Sequence, residues 1–533
     1  MQSQGAEKAH FHWADEVAGE LEKRGKKHVV ETGTSISGVP HVGNASDVIR
    51  GDAVRKALAE RGVEVELIWI ADDGDPFRKV PRGMESLQDF LGFPVYDIPD
   101  PSKCHKNFVD HFAKPFISDL EKFGVRPKVY SGIELYRTGS LLGEIKTALK
   151  QRNEIREILN QFRKTPLSED YLPWSPVCHK CGRISTAKPV SWDNGNLISY
   201  ECSGVDAETQ SEALKEVSGC GHKGVSDITK GEGKLPWRVE WAARWSHFKV
   251  TCEPFGKEHA TVGGSYDTSK IISKEVFNWE PPLPVVYEFF TLNGEKISSS
   301  RGNVITLADW LGICEPEVLK FFMYKRLQKQ RDIKLDMVPN MVDEYDQGER
   351  LFFNLEEESA ESEDKYKRMY SLSQVGKPEL LQVPFTLCSM LAQIPNVDLN
   401  RVVKQLESSG YPKFSLEKMK KRIHAAGNWV AKYGPEHLKF TLLENPDEVS
   451  GEINALQARG LSILAGRLDV PYTPEEFHKL IYQTARDIGL EPNSLFEAIY
   501  LSLIKKHRGP KAAALILSLD KDFVKKRFTF FKQ

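Results

Sequence analysis

The chain has 533 residues, 40% hydrophobic and 28% charged, which excludes a disordered or fibrous protein and provides roughly three or four domains with buried cores. Its formal net charge of −2 excludes nucleic-acid binding through overall charge, so such a partner must be held by local basic surface. The first residues lack a basic end followed by an apolar run, and no stretch reaches the ~20 apolar residues that span a bilayer, so a cytoplasmic protein with no membrane partner is expected.

Residues 7–25 place Trp13, Val17 and Leu21 at helical spacing, and Gly25 ends the run. The segment 28–38 (HVVETGTSISG) opens with the β-prone Val29 and Val30 and passes into small residues. Residues 40–62 carry Val48, Val54, Ala57 and Leu58 on a helical stripe that Gly62 stops. The run 63–72 (VEVELIWIAD) reads as a buried strand ending in acids. Strand, glycine-bearing turn, helix and strand form the opening unit of a doubly wound parallel α/β sheet. Ligands of such a sheet bind at the carboxyl ends of its strands, where Gly33 to Asn44 lie.

From Pro166 to Gly233, cysteines, glycines and short β-prone runs replace long helices, which marks an insertion. The sheet pattern resumes near Val239 and continues through 285–292 (VVYEFFTL). Beyond Pro316 the pattern is helical. Thr473-Pro474-Glu475-Glu476 has the form of a capping box with proline in the first turn. The charged stretch 356–368 is expected to be a solvated helix or linker.

Two segments point to nucleotide chemistry. Pro40-His41-Val42-Gly43-Asn44 follows a strand and opens a helix, whose free N–H groups and positive dipole end suit phosphate. Gly43 leaves room for a nucleotide ring, and His41 can donate to phosphate oxygens. Gly294-Glu295-Lys296-Ile297-Ser298-Ser299-Ser300-Arg301-Gly302-Asn303 forms a cationic loop able to close over a triphosphate. Taken singly, the first is a capped helix with a surface histidine and the second a polar turn. Their order and separation resemble the two signatures of class I aminoacyl-tRNA synthetases, His-hydrophobic-Gly-His and Lys-Met-Ser-Lys-Ser. Asn44 stands at the second histidine and Ser299 at the second lysine, which leaves Lys296 and Arg301 as the cations for pyrophosphate.

Further segments resemble the class I lysyl-tRNA synthetase family of archaeal type. They are Trp237 to Trp241, Arg244 to Phe248, Gly256 to His259, Gly263 to Asp267, residues 99–105 (PDPSKCH) and residues 507–527. The resemblance implies activation of L-lysine by ATP with Mg2+ and transfer of lysine to the 3′-terminal adenosine of tRNA(Lys). It implies roles in catalysis for His41, Asn44, Lys296, Ser298 and Arg301. Pro40, His41, Gly43, Asn44 and Lys296 to Ser300 (Ile297, Ser298 and Ser299 between them) would bind ATP. Gly33, Ser35, Trp237, His259, Tyr266 and Asp267 would bind lysine. The acceptor for the lysine ammonium is left open, with Glu31 and Asp267 as candidates.

The implied division is 1–165 and 234–300 for the two halves of the catalytic domain, 166–233 for a zinc-bearing insertion, 301–355 for a stem-contact region and 356–533 for an α-helical anticodon-binding domain. In the last, Lys505, Lys506, His507, Arg508, Lys511, Lys521, Lys525, Lys526 and Arg527 alternate with Phe523, Phe528 and Phe530, a pattern suited to phosphates and unstacked bases.

Eight cysteines in a cytosolic chain favour metal over disulfides. Cys178-x-x-Cys181 with Cys202 and Cys220 is a structural zinc pattern, with His222 as an alternative fourth ligand. Asp100, Cys104, His105 and His111 form a second set, whose spacing resembles a zinc site in the family. Both sets are expected to be structural. The competing readings are a glutamyl-type class I synthetase, a small-molecule nucleotidylyltransferase, and a zinc-bearing RNA-binding module. The residues near Trp237 and His259, the long helical C-terminal region, and the paired nucleotide signatures weigh against them in turn.

Overall fold

The computed structural model describes residues 12–205, 211–297 and 302–531. They fall into two units. One comprises the described residues of Met1–Ala308 with Leu319–Ile333 and Ser371–Gly376; the other comprises Asp309–Val318, Lys334–Tyr370 and the described residues of Lys377–Gln533.

The first unit is built on a parallel sheet. Helix α1 (Trp13–Arg24) is capped by His12 and buries Ala14, Ala18 and Leu21. Strand β1 (Lys27–Thr34), helix α2 (Val42–Glu60) and strand β2 (Glu64–Ala71) follow the order expected from residues 28–72. Helix α3 (Phe108–Lys122) and strand β3 (Lys128–Ser131) continue the winding. After the insertion come α4 (Trp237–Phe248), β4 (Cys252–Gly256), α5 (Ser265–Glu275) and β5 (Leu283–Tyr287). The sheet order is β5-β4-β1-β2-β3, with every neighbouring pair parallel. Strand order reverses between β1 and β4, the place where doubly wound sheets open a crevice.

Both faces of the sheet are covered, which explains the unbroken burial of His28–Thr32 in β1 and the apolar run Leu67–Ala71 in β2. Val29, Ile68 and Ile70 share a core with Val239, Ala242 and Trp245 of α4. On the other face, Gly51 of α2 lies over Val30, Thr32 and Leu67. A β-carbon at Gly51 would stand 2.9 Å from Leu67 Cδ1.

Residues 285–292, read above as one strand, divide between two sheets. Strand β5 ends at Tyr287, and Phe290–Leu292 pairs with Glu295–Lys296 and Arg331–Ile333. The Asn293-Gly294 turn supplies the positive φ values, 50° and 83°, that a tight hairpin requires. Within 166–233, Ala187–Trp192, Leu197–Cys202 and Lys223–Asp227 form an antiparallel meander. Ser175–Pro176 pairs with Gly233–Lys234 at its base.

The second unit is helical. Thr473 and Glu476 form the expected reciprocal capping box on Pro474–Asp487. The stretch 356–368 runs into the helix Ala360–Ser373. Arg422 is buried and bound by Glu315, Asp346 and the Val383 carbonyl. Among the described residues no helix is long and apolar enough to cross a membrane. Gly51→Val is expected to lower stability by about 1–3 kcal/mol through overpacking of α2 against the sheet. Thermal unfolding at the wild-type midpoint would contradict this packing.

Candidate active site and metal centres

A cavity of about 480 Å³ lies in the first unit, at the carboxyl ends of β1, β2, β4 and β5. It brings together Gly33 and Ser35 from β1 and its exit, His41, Gly43 and Asn44 from the start of α2, Trp237 from α4, His259 after β4, and Lys296 with Ile297 from the hairpin. These residues lie far apart along the chain and meet only through the winding of the sheet. Pro40, Tyr266 and Asp267 are not on the cavity wall. The Tyr266 hydroxyl donates to the Pro282 carbonyl, and its ring packs on Phe255 and Trp245. The Asp267 carboxylate accepts from Lys270 and from the Gly263 N–H. Ser298, Ser299, Ser300 and Arg301 lie outside the described residues.

At the phosphate-suited end, His41 is the N-cap of α2. Its Nδ1 accepts from the Gly43 N–H at 3.0 Å, while Asn44 Oδ1 accepts from the His41 N–H at 3.0 Å. Burial draws the imidazole down to about 4, so it is neutral at physiological pH. With Nδ1 accepting, the remaining proton belongs on Nε2, which is a donor. The reason for Gly43 is thereby local: a β-carbon there would stand 2.7 Å from the His41 ring. Lys296 is exposed, with its ammonium 5.7 Å from the Phe289 ring centre.

The floor of the cavity is acidic. Glu31 is 1% exposed, and its Oε2 has no hydrogen-bond partner. Burial, and next the neighbouring Glu253, push its carboxyl well above the usual range. Burial likewise raises Glu253 to about 8, although the indoles of Trp241 and Trp245 donate to it at 2.9 and 2.5 Å. Arg244 joins Asp72 at 2.7 Å to Glu240 at 3.1 Å. Lys234 joins Glu240 to Asp75, each at 2.5 Å. Trp237 stacks on Trp241, with centroids 5.2 Å apart. Tyr287, Trp241, Asp47 and Glu253 also line the cavity and were not among the expected site residues. Position at a strand's carboxyl end was the available signal for Tyr287; the others required the packing.

Cys178, Cys181, Cys202 and Cys220 converge, with their sulfur atoms within 4.8 Å of one another and no disulfide. The Cys178–Cys220 and Cys181–Cys202 sulfur distances are 3.6 and 3.7 Å. His222 is not in this cluster; its ring packs against Tyr200. Asp100, Cys104, His105 and His111 converge as well. Lys103, at φ 57°, makes the irregular turn that lets adjacent Cys104 and His105 face one point. Cys104 Sγ lies 3.1 Å from His105 Nδ1 and 3.3 Å from His111 Nδ1.

In the second unit a cavity of about 1620 Å³ is lined by Tyr411, His478, Tyr482, Phe496, His507, Arg508 and Lys511, among others. The rings of His478, Tyr482 and Phe496 lie 5.1–5.4 Å apart. Of the other expected basic residues, Lys521 and Lys525 both pair with Asp469, and Lys505 pairs with Glu448. Arg527 and Phe528 are buried; Arg527 binds the carbonyls of Leu443, Glu444 and Ser502, so both belong to the core.

The model of the family described as tRNA synthetases class I (K) matches residues 11–376. A lysine–tRNA ligase of Methanosphaera stadtmanae is 38% identical, over 97% of this chain and 99% of the relative. One from Methanocaldococcus jannaschii is 38% identical over 98% of this chain and all of the relative. Among solved structures, a glutamate tRNA ligase from Elizabethkingia meningosepticum aligns at 12% identity and a TM-score of 0.42, covering 95% of this chain and 99% of that one. With a doubly wound sheet, a capped phosphate-suited helix and full-length sequence matches in agreement, the chain belongs to the class I (K) family of tRNA synthetases.

Proposed function

We propose that this chain is a lysine–tRNA ligase: it activates L-lysine with ATP and Mg2+ to lysyl-adenylate and transfers lysine to the 3′-terminal adenosine of tRNA(Lys). One observation carries the choice of amino acid. A buried carboxylate with an unpartnered oxygen, Glu31, sits on a cavity wall that also bears the stacked Trp237 and Trp241. The ammonium takes the place of the missing partner, and the indoles cover the aliphatic stem. A glutamate side chain there would meet several carboxyl groups instead.

Activation is a displacement at phosphorus, in which the lysine carboxylate attacks the α-phosphate and pyrophosphate leaves. The protein's part is positioning and charge stabilisation. His41 Nε2, the amide of Asn44 and the first turn of α2 present neutral donors to phosphate; Lys296 brings a full charge. Ser298, Ser299, Ser300 and Arg301 complete that loop in this reading, with Arg301 as the second cation. Gly33 permits close approach at the end of β1, where a β-carbon would stand 3.3 Å from the Ile70 carbonyl. Ser35 and His259 complete the lysine subsite. Tyr266 supports it from behind through Phe255, and Asp267 acts through the start of α5. Residues 301–355 are proposed to meet the acceptor stem, and 356–533 the anticodon, whose unstacked bases fit the aromatic cavity near Arg508 and Lys511. The reaction belongs in the cytoplasm.

The cysteine quartet fits Zn2+. Zn–S bonds of about 2.3 Å give a tetrahedron with sulfur–sulfur edges of about 3.8 Å, close to the spacings above. The Asp100 set offers one oxygen, one sulfur and two nitrogen donors, also suited to closed zinc coordination. When bound, either ion supplies structural cross-linking.

Charging of tRNA with lysine alone, among all amino acids, is the expected outcome with MgATP; charging with glutamate would overturn the pocket assignment. Burial and the neighbouring Glu253 raise the Glu31 carboxyl, and a lysine ammonium beside it favours the ionised form, so lysine binding is expected to release a proton. Calorimetric enthalpies will then differ between buffers of unequal ionisation enthalpy, and this difference will shrink in Glu31→Gln, where Glu253 remains, along with about tenfold or more of the affinity. Equal enthalpies in all buffers for the wild type would sink this role. For His41, the sign is set by its lowered value: it stays neutral above about 4. His41→Gln is therefore expected to lower kcat at every pH without changing the shape of the pH–rate profile; loss of an inflection near 6.5 would count against a neutral donor. Cys178→Ser is expected to lose one zinc per chain and several degrees of melting temperature while KM for ATP stays within about threefold; pure wild-type protein without zinc would refute the metal assignment.

A further inference from the structure

We propose that Arg78 is a substrate-contacting residue that binds a phosphate, either of ATP or of the tRNA 3′ end; this rests on the cavity being the aminoacylation site. Arg78 lines the cavity with its side chain 59% exposed. Among the described lining residues, Arg78, Arg244 and Lys296 are the lysines and arginines, facing Glu31, Asp47, Asp72, Asp75, Glu253 and Glu258. Arg244 is 2% exposed and committed to Asp72 and Glu240. A polyanionic substrate therefore needs the other two.

Arg78 is available for that contact. Its ion pair with Asp75 is long, at 3.4 Å, and Asp75 is already held by Lys234 at 2.5 Å. Turning the guanidinium from Asp75 to a phosphate leaves Asp75 still paired with Lys234. A guanidinium also presents a fork that matches two phosphate oxygens.

Its backbone, by contrast, is fixed. Residues 76–77 and 92–94 form an antiparallel clasp, with Phe77 N–H donating to the Phe93 carbonyl at 2.7 Å and Gly92 N–H to the Phe77 carbonyl at 2.9 Å. The insertion grips this clasp from outside. Ile184 and Ser185 donate to the Gly92 carbonyl, and Arg183 donates to the carbonyls of Leu91 and Asp89. Ser211 Oγ donates to the Arg78 carbonyl itself. An exposed charge on an anchored backbone is the arrangement that positions a substrate at little ordering cost.

The test is steady-state lysylation by full-length enzyme, with kcat/KM measured separately for ATP, tRNA and lysine. Lysine charging by the wild type is the prior check; its failure would remove the reading of the cavity and not this assignment alone. R78A is expected to lose about tenfold or more in kcat/KM for ATP, or for tRNA, with lysine changed less than about threefold and R78K intermediate. Loss confined to ATP assigns the triphosphate, and loss confined to tRNA assigns the 3′ end. If R78A melts early, R78Q, which keeps part of the aliphatic stem and removes the charge, carries the same comparison. Unchanged constants, or an equal fall for lysine, ATP and tRNA, would overturn the proposal.

Discussion

The buried charge network centred on Arg244 is the constraint on which the cavity depends. Arg244 and Glu240 lie one turn apart on α4, Asp72 directly follows β2, Asp75 lies three residues on, and Lys234 closes the insertion. A lone buried ion costs several kcal/mol, and removing one member of a buried pair typically costs about 3–5 kcal/mol because the others are left uncompensated. The carboxyl end of β2 and the helix that supplies Trp237 and Trp241 must therefore meet in one way. The insertion leaves at Ser175–Pro176 and returns beside it at Gly233–Lys234, so its own fold delivers Lys234 to this network.

The same burial that makes the network obligatory tunes the rest of the cavity. Glu31 and Glu253 sit where water is excluded and where each opposes the other's charge, so both carboxyls are raised above their usual range. A cationic ligand reverses that balance by adding the charge the carboxylates lack. At the start of α2 neutral groups are locked by short-range geometry: the His41–Asn44 capping box orients both side chains with the same bonds that start the helix.

Much of this was legible because it is local. Strand, turn, helix and strand between residues 28 and 71 follow from apolar periodicity and glycine placement, and the Thr473 capping box from four consecutive residues. The convergence of both metal sets could be anticipated from spacing, though His222 could not be ranked against Cys220 without seeing it turned toward Tyr200. Periodicity failed where the chain changes partners without changing texture. Residues 285–292 are largely apolar, yet Tyr287 ends one sheet and Phe290 begins another. It failed again for Arg527 and Phe528, which look like an exposed basic and aromatic surface but fill the core, because a guanidinium can be satisfied by three carbonyls.

By itself, the sequence determined the sheet class, the helix start after β1 and the family signatures, since each is written in residues close along the chain, and it marked the cysteine and Asp-Cys-His sets by their types and spacing. Only tertiary structure decided which acids face the cavity, that Tyr266 and Asp267 stand off its wall while Tyr287 and Glu253 form it, and that Arg78 joins Lys296 there. The physical reason is that burial and unpaired charge belong to the space between elements. Glu31 is an ordinary glutamate in the sequence, and its carboxyl is raised well above the usual range only when β1, α4 and β4 close around it.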